Sequence, residues 1–100
     1  MDKYNCGNMT FGEKLKHLRE SKNLMQRQVG ALIEVDSAFI SKIENNDKPI
    51  NRIHIKTLSN YFQIEISELE ILWLADKLEH ILKDEEYAKQ VITEIQNRFI

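Results

Sequence analysis

Glycine occurs three times and proline once in 100 residues, which argues against long irregular segments. Cys6 is the single cysteine, so no internal disulfide forms, and a reducing, cytoplasmic setting fits. No apolar run approaches the ~18 residues that suggest a membrane span. No apolar stretch follows the N-terminal charges, as a secretory signal requires. A glycine-rich phosphate loop is absent. His17, His54 and His80 share no spacing, and no His/Glu pair stands at zinc-ligand intervals. Asp84-Glu85-Glu86 looks like paired carboxylates, but acids in the first turn of a helix explain it better. These absences argue against an enzyme and imply no cofactor and no metal.

An excess of positive charge is lacking too. The net charge is −2, which taken whole argues against a nucleic-acid binder. The distribution reverses that. Residues 1–67 carry 10 Lys and Arg against 8 Asp and Glu, whereas residues 68–100 carry 4 against 8. The acidic excess sits in the last third, which leaves room for a basic face before it.

What remains is a series of helical patterns. Apolar residues make up 42% of the chain, enough for a core. Residues 1–9 lack periodicity and read as a loose arm. Thr10-Phe11-Gly12-Glu13 is a capping box, followed by Phe11, Leu15 and Leu18 on one face of a helix reaching about residue 22. A second helix over 26–33 turns Val29, Leu32 and Ile33 inward, with small Gly30 and Ala31 for close approach. After a turn at 34–36, Asp36 caps a third helix to about residue 45, with Ile40 and Ile43 inward. Residues 46–49 form a loop by composition. Asn51 caps a fourth helix that partly buries Ile53, Leu58, Tyr61 and Phe62. Ser67-Glu68-Leu69-Glu70 is a second capping box, opening a fifth helix to about residue 83. Asp84 caps a sixth, striped by Ala88, Val91, Ile92, Ile95 and Phe99.

Two short helices joined by a tight turn, the second with small polar and basic residues outward, are how a helix-turn-helix presents side chains to the major groove. The chain resembles the phage-repressor/Cro-like (Xre-type) helix-turn-helix regulators. The matching residues are Leu18-Arg19, Gln26, Val29 and Ile40-Ser41-Lys42-Ile43-Glu44-Asn45, continued by Pro49, Leu58, Ile64 and Leu69. Met25 stands where that family often has a capping Thr, and Asn46 where it usually has Gly. The resemblance implies an all-α, five-helix lambda-repressor-like DNA-binding domain over 10–67, with a C-terminal helical extension over 68–100.

By position, the resemblance implies that Ser37, Ala38, Ser41 and Lys42 meet base edges. Lys42 suits guanine O6 and N7, and Ala38 a thymine methyl. Gln26, Asn45, Asn46 and Lys48 correspond to phosphate contacts, which fix register rather than sequence. Arg52 lies near the same face. Glu44 is expected to pair with Arg19 and tie the first helix to the third.

The segment 66–75 is too apolar for one buried face. A two-fold homodimer built on the last two helices covers it, through Leu72, Trp73, Leu74, Leu78, Ile92, Ile95 and Phe99. The expected function is a sequence-specific regulator of transcription, binding double-stranded DNA at an inverted repeat, with no membrane partner and no separate small-molecule domain. Such compact regulators resemble Cro-type repressors and the controller proteins of restriction–modification systems. Alternatives are an antitoxin or interaction module using helices five and six to bind a partner protein, an intramolecular helical hairpin in a monomer, and a fold relative that has lost DNA binding.

Overall fold

Thr10 holds an extended backbone (φ −82°, ψ 169°). Its hydroxyl accepts from the Glu13 amide at 3.1 Å, and the Glu13 carboxylate accepts from the Thr10 amide at 3.0 Å. This reciprocal pair opens α1 (Phe11–Ser21) and satisfies amides that have no partner inside the helix. The computed structural model describes residues 9–100, so all but the last residue of the expected arm, with Cys6, lies outside the described residues.

Five further helices follow: α2 (Gln26–Leu32), α3 (Ser37–Glu44), α4 (His54–Phe62), α5 (Ile66–Leu82) and α6 (Ala88–Arg98), with no strand among the described residues. Met25 has no oxygen with which to cap α2. The Gln28 side chain instead reaches back to the Met25 amide at 2.7 Å, which keeps one half of a capping box. Asp36 Oδ1 accepts from the Phe39 amide at 2.8 Å and starts α3.

The scarcity of glycine has a structural counterpart. α1 to α4 each end on a non-glycine residue in the left-handed region: Asn23 (φ 57°), Glu34 (φ 62°), Asn46 (φ 66°) and Gln63 (φ 56°). One residue later, an amide returns to a carbonyl five positions back: Leu24 to Arg19, Val35 to Gly30, Asp47 to Lys42 and Ile64 to Ser59. This is the Schellman closure, usually built on glycine. Leu24, Val35 and Ile64 pack against the core, which holds three of these four turns in place.

The core consists of Phe11, Leu15, Val29, Ile33, Ile40, Ile43, Ile50, Ile55, Leu58, Phe62 and Leu69. A Cβ on Gly12 would collide with the Ile43 carbonyl, and one on Gly30 with the Val35 carbonyl. These two glycines let α1 approach the end of α3, and α2 the turn before it.

Three helix starts differ from the sequence pattern. Asn51 does accept from the Ile53 amide at 3.1 Å, but only in a turn, and α4 begins at His54. The buried stripe of α4 is therefore Ile55, Leu58, Ser59 and Phe62. Ile53 is 72% exposed and Tyr61 40%. The box at Ser67 does not form, because α5 starts at Ile66, before Ser67. Asp84 does not cap α6. It lies with Glu85 and Glu86 in the turn between α5 and α6, and Tyr87 stands at the start of α6.

Candidate nucleic-acid interface

α3 buries Ile40, Ile43 and Glu44 on one face. Ser37, Ala38 and Lys42 stand exposed on the other, and Ser41 is half-buried between them. The helical period forces this division, since residues three and four apart share a face. Among the described residues no ion pair engages Lys42 or Lys48, so both ammonium groups are available to an anion.

Glu44 is a buried acid, 5% exposed, at the inner edge of this face. Its carboxylate accepts three hydrogen bonds: Arg19 Nε at 2.7 Å, Arg19 Nη2 at 3.1 Å and Gln26 Nε2 at 3.0 Å. Arg19 Nη1 donates to the Leu24 carbonyl at 2.8 Å. A paired and fully bonded charge is tolerated in the interior where a lone one is not. The hydrogen bond from Arg19 to Glu44 raises the guanidinium above its already high ordinary value, against the opposing effect of burial. The cluster joins α1, the start of α2 and the end of α3. Gln26 spends one amide proton on Glu44 and keeps the second for another acceptor.

The turn after α3 is also anchored. The Thr10 hydroxyl donates to Asn46 Oδ1 at 2.7 Å, which leaves the Asn46 NH2 group to donate elsewhere. Asn45 ends α3, and Asn45, Asn46 and Lys48 are all exposed.

A family model described as helix-turn-helix matches residues 15–69. The chain belongs to this family, in its Xre/Cro-like branch. The protein is similar to the HTH-type transcriptional activator BcrR of Enterococcus faecalis, 38% identical over 72 residues, covering 68% of this chain and 35% of that protein. It is also similar to control protein C.MunI of a Mycoplasma species, 37% identical over 60 residues, covering 59% of this chain and 81% of that protein. The matched segment therefore spans about a third of the activator's length. No solved structure gives a significant match.

Beyond the matched segment, this helix-turn-helix protein carries the seven residues expected at a partner interface. They do not share one environment. Leu72 and Trp73 pack against the protein's own core. Trp73 Nε1 donates to the Ile50 carbonyl at 3.0 Å, so its indole also serves the fold. The sequence could not reveal this, because the bond joins residues 23 apart. Leu74, Leu78, Ile92 and Phe99 are exposed, and Ile95 is half-buried.

Arg27 is exposed in the first turn of α2, and Arg52 is half-exposed in the turn before α4. No helix among the described residues is long and apolar enough to cross a membrane. No group of three His, Cys, Asp or Glu side chains among them could hold a metal ion.

Proposed function

We propose that the protein is a sequence-specific regulator of transcription that binds an inverted-repeat operator as a homodimer and controls its own promoter. The observation that carries the DNA reading is the outward face of α3, Ser37, Ala38, Ser41 and Lys42, held at a fixed angle by the buried Arg19–Glu44–Gln26 cluster. Lys42 reads guanine, Ala38 contacts a thymine methyl, and the serines discriminate little. Gln26, Asn45, Asn46 and Lys48 bind phosphate and set register.

The dimer reading is supported by α6, which is 11 residues long and buries none of them. A helix of that length is marginal alone in water, below the ~12–15 residues that isolated helices need. Ile71, Leu74, Leu78 and Ile81 form an exposed stripe on α5, and Ile92 and Phe99 lie one above the other on α6. A standard interface takes about 800 Å² from each partner, and these exposed apolar side chains supply the kind of surface it buries. A second copy covering them would place two recognition helices about 34 Å apart.

Selection from a random duplex pool, followed by salt titration on the winners, tests the reading. An enriched inverted repeat with half-sites one turn apart is expected. Failure to enrich any sequence at low salt would refute it. It would favour the reading in which α5 and α6 bind a partner protein, as an antitoxin does.

A further inference from the structure

The loop between α3 and α4 is fastened to α5 at two points. One is the bond from Trp73 Nε1 to the Ile50 carbonyl at 3.0 Å. Two residues on, Arg52 Nε donates to Glu70 Oε1 at 2.9 Å, and Arg52 Nη2 lies 2.7 Å from the same oxygen in an ion pair. The Arg52 guanidinium carbon also lies 5.1 Å from the centre of the Trp73 ring, which Lys77 Nζ approaches at 4.5 Å.

A guanidinium carries five N–H donors. Glu70 engages the Nε and Nη2 edge, and the Arg52 side chain remains 52% exposed, so the two N–H groups of Nη1 stay available. This arginine follows Asn45, Asn46 and Lys48 on the same loop. Ordering a free arginine on a phosphate costs rotamer entropy. An arginine already stacked on a ring and paired at one edge has lost that freedom beforehand. Its remaining donors keep the planar fork that suits a phosphate.

We propose that Arg52 is a further phosphate-contacting residue, and that Glu70 and Trp73 are positioning residues that hold its guanidinium for that contact. The inference rests on the DNA-binding reading above. It makes an unusual demand on sign. Glu70 is an acid beside a loop that faces phosphate, so its charge alone opposes binding. Its removal strengthens binding if Glu70 is merely a neighbour, and weakens it if Glu70 works through Arg52.

The test measures affinity of the full chain for its selected duplex across a salt series, with melting curves to show that each variant folds. Arg52→Ala should weaken binding about tenfold at physiological salt and shallow the log–log salt slope by about 0.9, one phosphate contact. Glu70→Ala should weaken binding several-fold with the same change of slope, and add no loss when Arg52→Ala is already present. Glu70→Gln keeps the accepting oxygen and should restore at least wild-type affinity. Trp73→Phe keeps an aromatic face but loses the N–H, and should fall between. A Glu70→Ala protein that binds as well as or better than wild type would overturn the positioning role. An Arg52→Ala protein with an unchanged slope would overturn the contact. A wild-type chain that shows no salt-dependent duplex binding would refute the DNA-binding reading itself, an outcome distinct from either variant result.

Discussion

At the scale of single residues, the buried acid of α3 is the most consequential. Glu44 has a side chain only 2% exposed, and Arg19 opposite it 12%. Removing one partner of a buried ion pair leaves the other charge uncompensated and costs about 3–5 kcal/mol. Glu44→Ala should therefore lower unfolding free energy by that amount in urea titration, and release Gln26 as well. Gln63 is a smaller case of opposite sign. A non-glycine residue in the left-handed region costs about 1–2 kcal/mol, and glycine's extra freedom in the unfolded chain returns about 0.5–1 kcal/mol. Gln63→Gly should raise stability by roughly 0.5–1 kcal/mol, whereas Asn23→Gly should gain less, because asparagine tolerates that conformation. Asp76 supplies a pH dependence. Its Oδ2 accepts from the Phe11 amide at 3.0 Å, joining α5 to the start of α1. Burial pushes its carboxyl above the ordinary 3.8, the Phe11 amide pulls it down, and Glu79 and Glu13 push it further up. The folded state thus holds this proton more tightly than the unfolded chain does. The stability Asp76 contributes is fully present below the unfolded value and is lost as pH rises through the folded one. Asp76→Asn keeps an oxygen for the Phe11 amide and cannot titrate. As pH rises from the unfolded value through the raised folded one, the Tm of the wild-type chain should fall relative to that variant.

At the scale of helices, legibility in the sequence followed the range of the interactions involved. Thr10 and Asp36 were readable as caps, because a cap is decided within four residues, and both bonds form as their spacing implies. The box at Ser67 has the same local signature and does not form. Leu69 is fully buried, and the helix that seats it already includes Ile66. Tertiary packing overrode the local signal there, as it did at Asn51, where the burial of Ile50 and Ile55 set the register of α4. The exposed face of α3 was legible from period alone. The attachment of Trp73 to the Ile50 carbonyl and of Gln26 to Glu44 was not, since nothing local marks either pair. The two roles assigned around α3 separate in one experiment. Lys42→Ala should cost about 1–3 kcal/mol on the selected site and relax preference at one base pair. Lys48→Ala should weaken all sequences alike and shallow the salt slope by about one. If competition binding finds both variants unchanged, the docking face lies elsewhere.

At the scale of the whole molecule, the radius of gyration is 14.8 Å and the longest extent 41 Å. A compact chain of this length has a radius near 13 Å, so the excess reflects material outside the core. Every buried apolar residue among the described residues falls within the span from Phe11 to Leu69. Beyond them, α5 and α6 border a groove of about 540 Å³ lined by Leu72, Leu78, Leu82, Ile92 and Met9. α5 is fastened to the rest of the chain through Leu69, Trp73 and Asp76, whereas α6 buries no residue, and exposed apolar surface of this kind is what interfaces use. The interface is best probed away from Trp73, whose loss would disturb the fold before it touched a partner. Leu78 is 49% exposed, belongs to the exposed apolar stripe of α5, also lines this groove, and lies outside the buried core. Leu78→Glu places a charge at the centre of that stripe in each copy. If two copies meet there, the like charges face each other across the two-fold axis and both lose solvent. Sedimentation should then find monomers at micromolar concentration with an unchanged helical spectrum. Affinity for a single half-site should be preserved, and affinity for the full inverted repeat should fall at least a hundredfold, because the second recognition helix is no longer tethered to the first. A Leu78→Glu chain that remains dimeric and binds the full repeat normally would move the interface off the α5 stripe and onto α6 alone.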